Sequence, residues 1–163
     1  MLSKKCKYAI HALVFMGKQP DQKFAIKEIS SSCKIPKKFL EGILLDLKRA
    51  GILGSKQGKF GGYFFLKSVD EINLAEVVRL FDGAIAALPC ATYKYYEPCK
   101  ECVDELRCSV REAFLAIRNA TVDLLKSDTI AGLVRRENEL TSVRRKKKRP
   151  TPKNGPAVSG GKK

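Results

Sequence analysis

Four of the chain's six cysteines lie close together, at a spacing that is typical of metal ligands. The pattern is Cys90-x8-Cys99-x2-Cys102-x5-Cys108, in a segment with two prolines and little apolar content. Thiolates bind soft metals, and a Cys-x-x-Cys pair with further cysteines nearby is a common ligand arrangement. The residues alone leave three interpretations open: an iron–sulfur cluster, a zinc ion with thiolate ligands, or a metal-free thiol switch.

The other residues that could do chemistry are two cysteines and a single histidine. Cys6, Cys33 and His11 all lie in predicted helices, and we expect the two cysteines to be packing thiols. Cysteine–histidine catalysis needs a base within reach of the nucleophile and an acid that orients it, and no such pattern accompanies His11. The glycine-rich residues 58–62 lie between predicted strands and do not open a helix, as a phosphate-binding loop would. We therefore predict a binding protein that is not an enzyme.

The segment that begins at Ile35 predicts a DNA-reading helix. Pro36 fits the first position of a helix, and Gly51 suits its end. The predicted apolar stripe consists of Phe39, Leu40, Ile43, Leu44 and Leu47. The residues off the stripe at the N-terminal end are Lys37, Lys38, Glu41 and Gly42. In a helix-turn-helix this end meets the base edges in the major groove, so we predict that these four residues bind DNA.

A glycine-rich basic hairpin follows this helix. Residues 52–53 and 63–66 are predicted strands, and the three glycines of the loop 55–62 permit positive φ and close approach to another backbone. Lysines in such a loop can contact phosphates, and a glutamine can reach a base edge or the minor groove. A Gly/Lys loop by itself is usually an exposed hairpin, but its position directly after a basic helix predicts a wing. The predicted DNA contacts of this wing are Lys56, Gln57 and Lys59.

Further helices surround this unit. Residues 3–17 and 24–33 are predicted to form the two helices that precede it, and Lys5 of the first is predicted as an additional DNA contact. After the hairpin, Asn73 is predicted to cap a short helix over residues 74–81 that ends at Asp82-Gly83.

A long helix is predicted over residues 109–126. Apolar or small residues recur along one of its faces at spacings of three and four. The members of this face are Val110, Ala113, Phe114, Ile117, Ala120, Thr121 and Leu124. Such a face requires another helix to cover it, either from its own domain or from a second subunit.

The net charge of +15 is unevenly distributed. Residues 144–163 contain nine Lys or Arg and no acid, which leaves +6 on the other 143 residues. Because this Pro-, Gly- and Lys-rich end lacks apolar periodicity, we expect residues 141–163 to form a disordered basic tail. The tail either adds nonspecific affinity for phosphates or serves only to solubilise the chain.

The chain shows no sign of membrane insertion or secretion. No apolar run is long enough to span a bilayer, and the first residues do not resemble a signal peptide. We therefore expect a cytoplasmic protein, in which cysteines are thiols or metal ligands and not structural disulfides.

Three stretches of the sequence resemble the Rrf-type regulators of bacteria, the group that includes the IscR, NsrR and CymR types. They read IPKKFLEGILLDLKRAGIL, GKFGGYFFLK and INLAEVVRLFDG, and the resemblance covers roughly residues 1–136. It implies a homodimeric winged-helix repressor or activator of double-stranded DNA, with an iron–sulfur cluster that senses iron–sulfur status, nitric oxide or redox state. It also implies that Lys38 and Glu41 face the bases, with Gln57 at the position of a wing arginine.

The resemblance assigns ligands to the cysteine segment. It implies a cluster, of the 2Fe-2S kind, held by Cys90, Cys102 and Cys108, with Cys99 as an alternative. Arg111 stands where the IscR type has a ligating histidine, and Lys7 stands where the nitric-oxide-sensing type supplies a carboxylate. His11 matches a first-helix ligand of one branch of the family and is a further candidate.

Together these observations predict a mainly α protein with a small β-hairpin. The predicted organisation is a winged helix-turn-helix domain (1–83), a cysteine-rich loop (84–108), a dimerisation helix with a short C-terminal helix (109–140), and the basic tail (141–163). The predicted function is that of a homodimeric DNA-binding regulator that senses through a cysteine-bound cluster. The alternative is a metal-free or zinc-bearing winged-helix regulator that is controlled by a partner protein or by thiol chemistry.

Overall fold

The computed structural model of the chain describes residues 2–58, 60–93 and 95–148. These residues form six α-helices and one antiparallel pair of strands. In chain order they are α1 (Lys4–Gly17), α2 (Ile26–Cys33), α3 (Lys37–Arg49), β1 (Leu53–Lys56), β2 (Gly62–Phe65), α4 (Leu74–Asp82), α5 (Ser109–Ser127) and α6 (Ile130–Lys148). Two short 3-10 turns, Pro89–Ala91 and Glu105–Arg107, lie in the segment between α4 and α5.

The first three helices form one core with the hairpin. The helix α1 begins at Ser3, whose hydroxyl accepts a hydrogen bond from the Cys6 amide, and it packs on α2, α3, α4 and α6. Leu13 and Met16 of α1 are fully buried against the inner face of α3. Burial of one such side chain contributes about 1.5–3 kcal/mol, so this core fixes the orientation of α3. The members of α3 that are fully buried are Leu40, Ile43, Leu44 and Leu47.

The ends of α3 follow the predicted signals closely. Pro36 lies just before the helix instead of at its first position, and Gly51, with φ of 72°, adopts the left-handed conformation after its last turn. The prediction that Phe39 belongs to the buried stripe is wrong, because its side chain is 44% exposed. One residue corresponds to 100° of rotation, which turns Phe39 away from Leu40 and towards α1, where its ring meets Tyr8 edge-to-face.

The hairpin is a short antiparallel ladder whose turn depends on glycine. Leu53 pairs with Phe65 and Lys56 with Gly62, and a further bridge joins Phe24 to Tyr63. A Cβ at Gly62 would lie 2.6 Å from the carbonyl oxygen of Phe24, so only glycine allows this close approach of the two backbones. The bridge at Phe24 holds the hairpin beside the start of α2.

Two hydrogen bonds join the α5–α6 corner to the start of α4. The amide of Ile130 donates to the carbonyl of Ile72, and the amide of Leu74 donates to the carbonyl of Asp128. Asn73 caps α4 as predicted, because its side chain accepts from the Glu76 amide. The C-terminal end of α5 is therefore attached to the same core that carries α3.

The last helix is longer than the sequence predicts. Helical structure was expected to end by residue 140, yet α6 continues to Lys148. Between Leu133 and Lys148 the sequence contains neither Gly nor Pro and is rich in Arg, Lys and Glu, which favour helix, and Pro150 follows. The rest of the predicted disordered tail, residues 149–163, lies outside the described residues.

Among the helices that the structure describes, none has the length and apolar content needed to cross a bilayer.

Candidate nucleic-acid interface and cysteine cavity

A basic groove lies between α2, α3 and the hairpin. Its volume is about 520 Å³, and four lysines from these three elements border it together with one carboxylate. We call this set the recognition surface: Lys27, Lys37, Glu41, Lys48 and Lys56. Gln57, Gly58 and the glycine pair 61–62 complete its border on the side of the hairpin. Convergent ammonium groups on a groove suit the phosphates of a nucleic-acid duplex.

Four of the eight predicted DNA contacts border this groove, namely Lys37, Glu41, Lys56 and Gln57. Lys37 and Glu41 lie one helical turn apart, with 4.0 Å between the Lys37 Nζ and the Glu41 Oε1. Exposed pairs of this kind contribute little, so Lys37 is free to exchange the carboxylate for a phosphate. Gly42 is exposed, and a Cβ built on it would meet no atom within 4 Å. The predicted contact Lys59 lies outside the described residues.

Two lysines of the recognition surface were not singled out by the sequence. Lys27 projects from α2, and Lys48 from the C-terminal half of α3. The signal for Lys48 was present, because it lies eleven residues after Lys37 and seven after Glu41, which is a helical spacing along one face. Lys27 had no such local signal, since it depends on how α2 packs beside α3.

Two other predicted contacts lie away from the groove. Lys38 borders a separate apolar depression with Lys4, Tyr8 and Phe39. Lys5 forms an ion pair and a cation–π contact within the chain. Its Nζ lies 2.7 Å from the Asp46 carboxylate and 5.5 Å from the ring centre of Phe81. The predicted roles of Lys5 and Lys38 at DNA therefore stay predictions.

The four clustered cysteines line one cavity at the N-terminal end of α5. This cysteine cavity, of about 500 Å³, is bordered by Cys90, Cys99, Cys102 and Cys108. Cys90 lies in the first 3-10 turn and is buried, whereas the other three are half-buried. Among the residues that the structure describes, no three His, Cys, Asp or Glu side chains are close enough to hold one metal ion. The thiols share a cavity without forming a closed ligand set.

The thiols differ in acidity because their hydrogen bonds differ. Cys108 caps α5, and the Arg111 amide donates to its sulfur over 3.4 Å, which lowers the pKa of the Cys108 thiol. Cys102 donates to Cys108, and this bond raises the pKa of the Cys102 thiol. Cys99 donates to the Glu101 carboxylate over 3.1 Å, which raises the pKa of the Cys99 thiol. Of these three thiols, Cys108 is thus the most readily ionised.

Arg111 supports the wall of the cysteine cavity. Its Nε donates to the carbonyl of Cys90 over 3.1 Å and lies 3.8 Å from the Glu105 carboxylate. The guanidinium has no lone pair to offer a metal, but its position ties the first cysteine to the start of α5.

The remaining cysteines and the histidine lie elsewhere. Burial raises the pKa of Cys6 to about 11, and burial also raises the pKa of Cys33. The Cys33 thiol donates to the backbone carbonyl of His11, whose side chain is exposed on α1. None of these three residues borders the cysteine cavity. High pKa values make Cys6 and Cys33 poor nucleophiles, as expected of packing thiols.

One face of α5 is exposed along its length. Val110, Ile117 and Leu124 lie seven residues apart and are 57%, 56% and 70% exposed. Val122, on the other side of the helix, is buried against the chain's own core. An apolar stripe of this kind on a helix is the pattern that a second helix covers.

The chain matches known proteins over most of its length. A family model described as Rrf2, iron-dependent transcriptional regulator, matches residues 2–136. An HTH-type transcriptional regulator from Rhodobacter capsulatus, described as rrf2-like, is 38% identical over 138 residues, which cover 82% of this chain and 92% of the relative.

Solved structures share the fold. CymR of B. subtilis, described as the global cysteine regulator, superposes with a TM-score of 0.69 at 24% identity and covers 82% of this chain and 95% of its own. The IscR of T. potens superposes with a TM-score of 0.66 at 17% identity, and the match covers 86% of this chain and 90% of the IscR chain. The predicted winged helix-turn-helix with a long additional helix is thereby confirmed.

Proposed function

The chain belongs to the Rrf2 family of transcriptional regulators, and from this membership we propose a homodimer that grips duplex DNA with two recognition surfaces and senses iron–sulfur or redox status through the cysteine cavity. Members of this family are DNA-binding regulators and not enzymes, and so is this chain. The observation that carries the proposal is the convergence of four lysines from three elements on one groove.

In the proposed complex, α3 enters the major groove and the hairpin lies against the neighbouring backbone. Lys27, Lys37 and Lys56 neutralise phosphates, which contributes affinity without sequence preference. Glu41 can accept a hydrogen bond from a cytosine amino group, so it is the proposed base-reading residue of the groove. Gly42 lets the helix approach the base edges without a side chain between them.

The binding step is tested by titrating a pool of genomic fragments with the protein and with Lys37→Ala and Lys56→Ala. Each variant should weaken binding to all sequences and lower the slope of log affinity against log salt by about 0.9, because one counterion-releasing contact is lost. Lys126→Ala, an exposed lysine at the end of α5, is the matched control. Unchanged slopes in both variants would show that the groove does not contact DNA.

The second subunit is proposed to pack on the exposed face of α5. The support is the apolar stripe of Val110, Ile117 and Leu124, which nothing covers within the described part of the chain. Ile117→Glu should convert the dimer into a monomer in sedimentation equilibrium, because the pairing would bury an unpaired charge. Lys126 lies half a turn away from Ile117 around the helix. Lys126→Glu should therefore leave the dimer intact. A wild-type protein that sediments as a monomer would exclude the proposed pairing.

The cysteine cavity is proposed to hold an iron–sulfur cluster through Cys90, Cys102 and Cys108, with Cys99 as the alternative ligand. The donor set suits the group, because iron–sulfur clusters are held by thiolates and four thiols border one cavity. The description of the matching family as iron-dependent supports the same choice. A bound cluster would supply a redox-active centre.

Cys108 and Arg111 provide a route by which a change in the cysteine cavity would alter DNA binding. Cys108 is both a proposed ligand and the N-cap of α5, so a displacement of the cysteine loop moves the start of that helix directly. Arg111 links the carbonyl of Cys90 to the same turn of α5. A shift of α5 changes the spacing of the two recognition surfaces, and with it the affinity for a two-part site.

Anaerobic purification followed by iron and acid-labile sulfide assays tests the cluster. Iron and sulfide should be present in equal amounts and should be lost in Cys90→Ser, Cys102→Ser and Cys108→Ser. Protein with thiol-bound zinc and no sulfide would instead support the zinc-bearing alternative, and metal-free protein the thiol switch. Neither result affects the DNA titration, so the two parts of the proposal fail separately.

A further inference from the structure

A second, smaller cleft lies between the end of α4, the middle of α5 and the loop that joins them. Its volume is about 240 Å³, and two arginines from different helices and two tyrosines border it. We call it the arginine cleft and define it by Arg79, Tyr93 and Arg118. None of these residues borders the cysteine cavity or the recognition surface.

Among the described residues that border this cleft, there are two positive charges and no carboxylate. Within the part of the chain that the structure describes, neither guanidinium forms an ion pair with a carboxylate, in contrast to Arg111, Arg135 and Arg136. Two guanidinium groups that face one small cleft repel each other, and an anion between them would reverse the sign of that interaction.

The guanidinium of Arg118 is already fixed in place. It lies 4.1 Å above the ring of Tyr93, and its Nη1 donates to the Asn119 side chain over 2.7 Å. The stack and the hydrogen bond leave other N–H groups of the planar fork free for a second acceptor. A held guanidinium loses little rotamer freedom when it binds an anion.

Backbone donors also border the cleft. Gly83, with φ of 79°, turns the chain at the end of α4, and Ala84 and Ile85 follow it along the border of the cleft. Among the described residues, the amides of Ala84 and Ile85 donate to no backbone carbonyl or side chain. Two backbone amides and two guanidinium groups, all of them hydrogen-bond donors, therefore border one cleft.

We propose that the arginine cleft binds a small oxyanion, either a phosphate or a carboxylate group, on Arg79 and Arg118. The volume of about 240 Å³ has room for inorganic phosphate or a small carboxylic acid. The ligand would bridge α4, which belongs to the DNA-binding module, and α5, which carries the exposed apolar face.

The experiment uses the full-length protein and follows the arginine Nε–H signals by NMR during titration with inorganic phosphate and, separately, with pyruvate at constant ionic strength. The signals of Arg79 and Arg118 should shift saturably with at least one probe, and the probe that acts identifies the anion class. Arg79→Gln and Arg118→Gln should each weaken that binding about tenfold, because each removes a charge-assisted hydrogen bond. Arg135→Gln, an exposed arginine of α6 outside the cleft, is the matched control.

Three results would overturn the proposal. The first is no saturable shift with either probe, and the second is a shift that Arg135→Gln weakens as much as the cleft variants do. The third is phosphate binding that is confined to the lysines of the recognition surface, which Lys37→Ala would abolish while Arg118→Gln would not. Tyr93→Phe keeps the ring under Arg118 and should retain binding, which separates loss of the site from loss of the fold.

Discussion

The recognition surface and the cysteine cavity are built in opposite ways. The lysines of the recognition surface project from α2, α3 and β1, whose inner faces include the fully buried Leu44, Leu47 and Leu53. The cysteine cavity is formed by a segment whose regular structure consists of two one-turn 3-10 helices. Its Val103 and Leu106 side chains are almost completely exposed.

This difference indicates which region is complete within one chain. The groove needs no further protein to hold its lysines in place, because the core beneath it sets their positions. The cysteine loop has little buried area of its own, which is typical of segments with low local stability. A regulator that senses through this loop, as proposed, would keep its DNA-reading part constant and respond in the loop alone.

The largest expected effect tests this contrast through stability. Leu44→Ala should lower the free energy of unfolding by about 2–5 kcal/mol, because it leaves a cavity under α3. Leu106→Ala, the same change in the cysteine loop, should alter it by less than about 0.5 kcal/mol in metal-free protein. Urea denaturation monitored by circular dichroism measures both. Equal losses would show that the loop is part of the core.

The next prediction concerns the two lysines that the sequence did not reveal. Lys27→Ala and Lys48→Ala should each reduce the salt dependence of DNA binding by about 0.9 in slope, as expected for one phosphate contact. Gel shifts at several salt concentrations provide the measurement, and Lys126→Ala is again the control. If only Lys27 has an effect, the DNA lies towards the hairpin end of the groove and away from the end of α3.

A smaller effect separates stability from binding within α3. Gly42→Ala meets no atom within 4 Å and should stabilise the helix by about 0.5–1 kcal/mol, since alanine is the better helix former. The same methyl group should weaken DNA binding, because it stands between the helix and the base edges. Thermal denaturation and a DNA titration on one sample measure the two effects. Unchanged DNA affinity would remove Gly42 from the interface.

The smallest expected effect concerns the fourth thiol of the cysteine cavity. Cys99→Ser should leave the iron and sulfide content unchanged, whereas Cys102→Ser should abolish it, if Cys102 is the middle ligand. The reverse result would assign that role to Cys99 and keep the cluster. Circular dichroism of both variants should match the wild type, because neither side chain belongs to the buried core.

Sequence signals that act over a few residues predicted the fold well. The cap at Asn73, the turn at Gly51 and the length of α5 each depend on local hydrogen bonds or on a simple periodicity, and the structure has all three. The order of helices and hairpin was sufficient to indicate the winged helix.

Features that depend on packing between distant segments were missed. Phe39 is exposed because α1 offers it Tyr8, and Lys27 reaches the groove because α2 lies beside α3. The arginine cleft joins Arg79 and Arg118, which are far apart in the chain and share no motif. The cysteine spacing predicted that the four thiols cluster, and they do border one cavity. It could not show that, among the described residues, no three His, Cys, Asp or Glu side chains come close enough to hold one metal ion.

The two ends of α5 are held very differently, and this makes the helix a lever. Its C-terminal end is fixed by the hydrogen bonds of Leu74 and Ile130, whereas its N-terminal end is attached to the cysteine loop. The nineteen residues of the helix span about 28 Å, so a rotation of only about 5° around the fixed end displaces the other end by roughly 2.5 Å. A rotation of α5 too small to disturb the core would thus produce a larger displacement at the cysteine end. A small displacement at the cysteine end would equally rotate the whole helix.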